Sequence, residues 1–274
     1  MILSAKYDML HPPLVSRILA EESQAKDPVK AAKTRLHQLY GAYVQGNAHK
    51  KAASLLTAVA SSCGNSWDRD SWGADIESAA QSILRLHAST KERLPHLIGF
   101  YEFVATHTGQ AETIMDLGCG FNPFSIPLMP TSLSSNLKSY HAFDIDTRTR
   151  DILNRFFSLL KLPPTAECID LAVETSSHSV DVALMCKLLP VLEAQIPGRG
   201  FELAAGINTR FLVITYPLKS LGGRDKGMEK NYSNAFEKAI SAGAMGRFTP
   251  IARERVGNEL VYILAISQTK SVWF

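Results

Sequence analysis

Three carboxylates and two glycines carry the chemistry most readily read from this chain. Thr113-Ile-Met-Asp-Leu-Gly-Cys-Gly-Phe-Asn-Pro123 reads as a buried β-strand that closes at Asp116 and breaks into a turn at Gly118 and Gly120. The missing Cβ at those glycines lets the backbone turn tightly and approach a ligand. A dinucleotide fingerprint would want a third glycine, as in G-x-G-x-x-G, but Asn122 and Pro123 follow instead. Asp-x-Gly-x-Gly fits the S-adenosylmethionine (AdoMet) loop of a Rossmann-like methyltransferase better. Two further apolar runs also end in acids, Ser139-Tyr-His-Ala-Phe-Asp144 and Ala166-Glu-Cys-Ile-Asp170. Ligands of an open α/β sheet bind outside the carboxyl ends of its strands, so the three acids would converge on one crevice. There the second could accept both ribose hydroxyls and the third the adenine amino group. Each acid taken alone could equally cap the helix that follows it; their common register favours the cofactor reading.

The elements that must position these acids follow in order. Arg148 to Leu160 has helical spacing of Ile152, Leu153, Phe156, Phe157 and Leu160. Ser179 to Cys186 reads as a fourth strand, followed by Lys187-Leu-Leu-Pro-Val-Leu-Glu193, and Arg210 to Tyr216 as a fifth. Two β-rich runs, Arg247 to Val256 and Glu259 to Ser267, then flank Gly257-Asn258, a dipeptide suited to a hairpin turn. Five alternating strands and helices with a terminal hairpin predict the methyltransferase layout, with its antiparallel last strand, rather than the six parallel strands of a dehydrogenase.

The chain of 274 residues exceeds the roughly 150 to 200 that one compact α/β unit needs. The surplus lies in the first hundred residues, which hold helical stretches at Pro13 to Glu22, Pro28 to Tyr43, His49 to Ser61 and Asp70 to Leu86 and no convincing strand. The expected division is a helical domain over residues 1–105 and a Rossmann-like methyltransferase domain over 106–274. Net charge is only +3, yet residues 1–51 carry eight Lys or Arg against four acids. A local basic face is the electrostatic footprint of nucleic acid, although it also suits a solvated helix face. No apolar run approaches the roughly 20 residues of a membrane helix, and no signal-peptide pattern opens the chain, so a cytoplasmic protein is expected. Cys63, Cys119, Cys168 and Cys186 lack C-x-x-C spacing, which argues against zinc and against a disulfide framework; no metal is expected.

The acceptor is narrowed by what is missing. Methylation of adenine N6 or cytosine N4 usually uses an Asn/Asp-Pro-Pro-aromatic tetrad after the fourth strand, where this chain has Cys186-Lys187-Leu188-Leu189-Pro190. A Lys-Asp-Lys-Glu set for a ribose 2′-OH is not evident either. A ring nitrogen such as guanine N7 carries no proton to remove, so placement in line with the methyl could suffice.

Several stretches resemble a known family. Arg35 to Tyr43, His87 to Pro95, Asp116 to Pro123, Lys187 to Glu193, Ser220 to Tyr232 and Gly257 to Tyr262 closely resemble the aminoglycoside-resistance 16S ribosomal RNA methyltransferases, most nearly the acquired group. The resemblance implies methylation of N7 of guanine 1405 of 16S rRNA within the assembled 30S subunit. That modification blocks 4,6-disubstituted deoxystreptamine drugs. It further implies that Arg93 pairs with the AdoMet carboxylate, helped by His87, Ala88 and Ser89 at the start of that helix. Gly118 and Gly120 would line the loop, Asp144 would take the ribose, and Asp170 with Leu171 would bracket the adenine. Cys186 and Gln195 would complete the pocket beneath Tyr43. The family usually has Ala in place of Gly118 and a hydrophobic residue in place of Cys186. Lys187 and Glu193 would lie near the target base, as catalytic residues or as a helix-start salt bridge or cap. Lys33 and Arg35 read as phosphate contacts. Lys219, Arg224, Lys226, Met228, Asn231 and Tyr232 form a glycine-bearing stretch over the site, with Arg224 and Lys226 toward phosphate and Met228 or Tyr232 toward a flipped guanine.

Two rivals stay open: a small-molecule methyltransferase with a helical lid, and a catalytically silent AdoMet-binding module.

Overall fold

The computed structural model describes residues 7–44, 46–63, 73–218 and 228–267. The described residues form one seven-stranded sheet in the order β3-β2-β1-β4-β5-β7-β6. β1 (Thr113–Leu117), β2 (Ser139–Asp144), β3 (Ala166–Cys168), β4 (Ser179–Cys186) and β5 (Asn208–Pro217) run parallel. β6 (Phe248–Val256) and β7 (Glu259–Ile266) form the expected hairpin, and β7 inserts antiparallel beside β5. The parallel order reverses at β1, between β2 and β4, and a crevice opens at such a point beyond the strand ends.

Alternation along the strands builds two apolar layers. Ile114, Val182, Leu184, Val213 and Ile263 face one core, while Met115, Leu117, Ala183, Met185, Leu212 and Ile214 face the other. The first core is continuous with the N-terminal helices: Leu14 and Ile18 of α1 (Pro12–Glu21), Ala32 and Leu36 of α2 (Pro28–Leu36), and Ala52 and Leu56 of α3 (Ala48–Cys63) all belong to it. Each buried Leu or Ile contributes about 1.5–3 kcal/mol, so this shared layer ties helices and sheet together. α2 continues into a π-helical turn, His37–Gly41, that carries the chain toward Tyr43. α4 (Ala74–Leu84) falls within the expected 70–86 stretch, and α5 (Ala88–Arg93) follows directly.

The structure adds α6 (Leu97–Thr108), to which the sequence pattern assigns no element. Its Leu97, Phe100, Tyr101, Val104 and Ala105 are all buried along one stripe, but Ile98, Gly99 and Phe103 off that stripe are apolar too, which leaves little contrast to read. Beyond β1 come a 3-10 segment (Asn122–Leu128) and a short α7 (Thr131–Ser134). α8 (Thr147–Leu159) starts at Asp146, whose side chain accepts from the Arg148 amide at 2.8 Å. α9 (Leu189–Gln195), α10 (Arg199–Gly206) and α11 (Met228–Ser241) cover the second face. β1 runs one residue past Asp116, and β3 stops two residues short of Asp170. Among the described residues no helix is long and apolar enough to cross a membrane.

Candidate active site

A cavity lies over the carboxyl ends of β1, β2 and β4, lined at its rim by Gly118, Gly120, Asp144, Asp170, Arg93 and Lys187. The glycine turn has the backbone it needs. Gly118 and Gly120 have φ of +66° and +51°, in the left-handed region that side chains other than glycine's disfavour. A Cβ on Gly120 would lie 2.7 Å from His87 Nε2.

Asp144 ends β2 with one oxygen on this loop and the other on the turn that follows β2. Its Oδ2 accepts from the Gly120 amide and its Oδ1 from the Asp146 amide, each at 2.9 Å. Burial nevertheless pushes its carboxyl up to about 6, because few charges compensate the lost hydration. Asp116 sits beneath the loop as its brace. Asn122 Nδ2 and the Tyr140 hydroxyl both donate to its Oδ2 at 2.8 Å, and burial raises this carboxyl to about 6 as well.

The His87 ring packs between Tyr43, stacked at 6.0 Å, and Phe121 at 5.6 Å. Burial first, then the cationic neighbours, lower its pKa to about 3, so it is a neutral wall of the cavity. Ala88 serves the backbone, donating its amide to the Tyr43 carbonyl at 2.9 Å, and Ser89 lines the cavity. Cys119 and Cys186 also line it. Burial raises both thiols, Cys186 to about 12, which suits small walls rather than nucleophiles.

Arg93 is the centre of a buried charge cluster that sequence reasoning does not anticipate. Its Nε and Nη2 donate to Glu259 Oε1 and Oε2 at 2.9 and 2.8 Å, and its Nη1 donates to Asn122 Oδ1 at 2.8 Å. Arg93 and Glu259 are 4% and 3% exposed. Burial pushes the Glu259 carboxyl up, but Arg93 and Lys187 outweigh that and hold it below the usual range. Three of the five guanidinium N–H groups are taken, leaving two for a ligand carboxylate. Lys187, at φ +57°, closes the cluster: its Nζ lies 2.7 Å from Glu92 Oε2 and 3.5 Å from Glu259 Oε1.

Glu193 stands apart from the cavity. Its Oε2 accepts from the Gly198 amide at 2.8 Å and its Oε1 from the Gly200 amide at 2.7 Å, so it caps α10. The cap is the alternative the sequence left open, and this geometry favours it over a place at the acceptor.

At the far end, Asp170, Leu171 and Gln195 line the cavity together. Arg17 reaches them from α1, a residue that the sequence groups only with the basic surplus. A second cavity adjoins the first and shares Tyr43, Ser89, Lys187 and Gln195 with it; Glu92, Pro217 and Tyr232 line its other side. The Tyr232 ring stacks on Tyr216 at 4.9 Å. Asn231 is exposed on α11, which starts at Met228, while Lys219, Arg224 and Lys226 lie outside the described residues. Lys33 is half-buried, and Arg35 pairs with Glu21 and Glu22 at 2.6 and 3.1 Å. Among the described residues no group of three His, Cys, Asp or Glu side chains could hold a metal.

The signals for the missed residues were slight. Glu259 follows the hairpin turn by one residue, and nothing local ties it to Arg93, 166 positions earlier.

The cavity fits AdoMet on three counts: a glycine cradle that a Cβ would fill, a strand-end carboxylate with acceptor capacity left, and a guanidinium with two donors left. A family model for ribosomal RNA methyltransferases (FmrO) matches residues 3–263. The chain is 35% identical over 266 residues to the 16S rRNA (guanine(1405)-N(7))-methyltransferase of Micromonospora echinospora, covering 95% of this chain and 92% of that protein. It is 34% identical to the protein of the same name from Serratia marcescens, covering 96% and 94%. Among solved structures it is similar to the 16S rRNA methyltransferase RmtF in complex with S-adenosyl-L-homocysteine, with a TM-score of 0.78 and 33% identity over 96% of this chain and 95% of that one. Similarity to the 16S rRNA methylase RmtB gives a TM-score of 0.76 and 29% identity over 96% and 94%.

Proposed function

The chain belongs to the FmrO-type 16S rRNA (guanine(1405)-N(7))-methyltransferases and is an AdoMet-dependent enzyme; from that premise we propose that it modifies N7 of guanine 1405 within the assembled 30S subunit. The outcome is resistance to 4,6-disubstituted deoxystreptamine aminoglycosides. Substrate and cofactor place its work in the cytoplasm. The observation that carries this reading is the pair of adjoining cavities meeting at Tyr43, Ser89 and Lys187.

Bound AdoMet supplies an electrophilic sulfonium methyl. Asp144 holds the ribose hydroxyls, Asp170 and Leu171 the adenine, and Arg93 the carboxylate through its two remaining donors. The target guanine, flipped from its duplex, enters the second cavity beside Tyr232, where N7 presents a lone pair and no proton. Lys187 then has no base chemistry to perform. Its ammonium is matched by Glu92 and Glu259, and Arg93 completes a cluster of two positive and two negative side chains. No uncompensated cation opposes the positive charge as it passes to the base. Residues 1–105 dock the ribosome and also lend Tyr43, Ser89 and Arg93 to the cofactor cavity, whose remaining walls come from 106–274. Lys33 and, once released from its acidic partners, Arg35 meet phosphate, and the family resemblance adds Lys219, Arg224, Lys226, Met228 and Asn231 as RNA contacts.

The test is methyl transfer from labelled AdoMet to purified, unmethylated 30S subunits, with strand scission used to map N7-methylguanine. Scission at the decoding-site guanine, lost in Asp144→Ala, is the expected result. Full cofactor occupancy without transfer to 30S would overturn the reading. Transfer should also weaken steeply with salt, as phosphate contacts require.

A further inference from the structure

Arg17 is the residue whose placement the proposed chemistry leaves unexplained. It belongs to α1, in the helical part of the chain, yet its guanidinium is largely buried against the cofactor cavity, with its side chain only 13% exposed. Nε donates to Asp170 Oδ2 at 2.7 Å, and Nη2 donates both to Asp170 Oδ1 at 3.2 Å and to Gln195 Oε1 at 3.0 Å. Nη1 donates to Glu21 at 2.9 Å. The guanidinium is therefore fixed on three sides, and it in turn fixes two side chains that come from β3's end and from α9.

Stability alone is a poor account of this arrangement. A buried ion pair returns little net stability once desolvation is counted, and apolar replacements of similar volume are often as good. What the pair does set is direction. Asp170 accepts from Arg17 Nε, Arg17 Nη2 and the Ala172 amide, and a carboxylate has about four acceptor positions. One remains, and Asp170 lines the cavity. Arg17 also occupies the Gln195 carbonyl oxygen, and Gln195 Nε2 donates to the Val191 carbonyl at 3.3 Å, which leaves one N–H of that amide able to face a ligand.

We propose that Arg17 is a positioning residue for nucleobase recognition: it presents one acceptor position of Asp170 to the exocyclic amine of the adenine and holds Gln195 beside it. The inference rests on the assignment of Asp170 to the adenine made above. It makes α1 a working part of the cofactor site.

The test compares S-adenosylhomocysteine with its 6-deamino analogue, in which hydrogen replaces the amino group, by calorimetric titration of the full chain. Wild-type protein should prefer the amino ligand by at least about tenfold, the value of one good hydrogen bond. Arg17→Gln should bring the two ligands within about threefold of each other, and Arg17→Lys, which keeps charge without the fork, should fall between. Equal loss of affinity for both ligands with the preference intact in Arg17→Gln would make Arg17 merely structural and overturn the proposal. If that variant fails to fold, Arg17→Lys is read by the same criterion. Asp170→Asn separates the two ideas: a preference that survives in it, or that is missing from the wild type, overturns the adenine assignment itself. Loss in Asp170→Asn with retention in Arg17→Gln overturns only the role of Arg17.

Discussion

Arg93 and Glu259 meet edge to edge beneath the cofactor cavity, Nε to Oε1 at 2.9 Å and Nη2 to Oε2 at 2.8 Å, joining α5 to the first residue of β7. The fork fixes the orientation of the guanidinium, which lines the cavity with two N–H groups unbonded. Removing one partner of a buried pair leaves the other uncompensated, at about 3–5 kcal/mol. Glu259→Gln should therefore lower unfolding stability by about 3 kcal/mol, read from denaturant midpoints at unchanged slope, and should also weaken S-adenosylhomocysteine binding. A midpoint equal to that of the wild type would remove Glu259 from this role.

Asp144 predicts how cofactor affinity depends on pH. Burial raises its carboxyl from 3.8 to about 6 in the folded protein. The folded chain thus holds this proton at pH 5, where the unfolded chain has released it, so this group's contribution to stability falls as pH rises from about 4 to 6. Ribose hydroxyls donate best to the ionised form, so binding expels the proton and affinity moves the opposite way. S-Adenosylhomocysteine should bind progressively more tightly from pH 5 to 7 with a midpoint near 6, and Asp144→Asn should bind weakly with a flattened profile. A wild-type profile flat over that range would disprove the assignment.

The two glycines of the loop should respond unequally to alanine. At Gly120 the new Cβ meets the His87 ring at 2.7 Å, and that ring is confined by Tyr43 and Phe121. At Gly118 it meets Leu188 Cδ1 at 2.9 Å, the end of a flexible side chain. Both positions also carry the left-handed strain, about 1 kcal/mol. Gly118→Ala should lose about 1–2 kcal/mol of stability and keep cofactor binding. Gly120→Ala should lose binding by tenfold or more. Equal titration curves for the two variants would refute the steric argument.

The parallel sheet was legible because its signals are local. β2 and β4 begin and end where alternation and strand-end acids place them, at Ser139–Asp144 and Ser179–Cys186, and Gly257-Asn258 marks the hairpin turn. Gly118, Gly120 and Asp144 meet at one cavity for the same reason: a strand end and a tight turn are written in adjacent residues. What stayed hidden was long-range. Glu259 reaches Arg93, and Arg17 reaches Asp170, only after the sheet has closed and α1 has packed over it. Charge counting assigns Arg17 and Arg35 alike to a basic face, whereas the structure gives both of them acidic partners. α6 escaped because Ile98, Gly99 and Phe103, off its buried stripe, blur the helical period.

Lys187 and Glu193 begin and end one stretch, Lys187-Leu-Leu-Pro-Val-Leu-Glu193, yet their surroundings predict different phenotypes. Glu193 receives the amides that open α10, and losing a cap costs about 1 kcal/mol. Glu193→Ala should therefore lower the melting temperature and leave kcat on 30S subunits within about twofold of wild type, well inside the tenfold that 1.4 kcal/mol of barrier represents. Lys187 holds a left-handed backbone at φ +57° and reaches Glu92 and Glu259 at the junction of the two cavities. Lys187→Ala keeps that strained backbone and loses the ammonium; Lys187→Gly loses the ammonium and relieves the backbone by about 1 kcal/mol. The glycine variant should then be the more stable of the two, while both lose the Lys187 wall that separates the two cavities, place the guanine poorly, reduce methyl transfer to 30S by about tenfold or more and keep S-adenosylhomocysteine affinity. Recovery of transfer in Lys187→Gly alone would move the importance of this position from its side chain to its backbone.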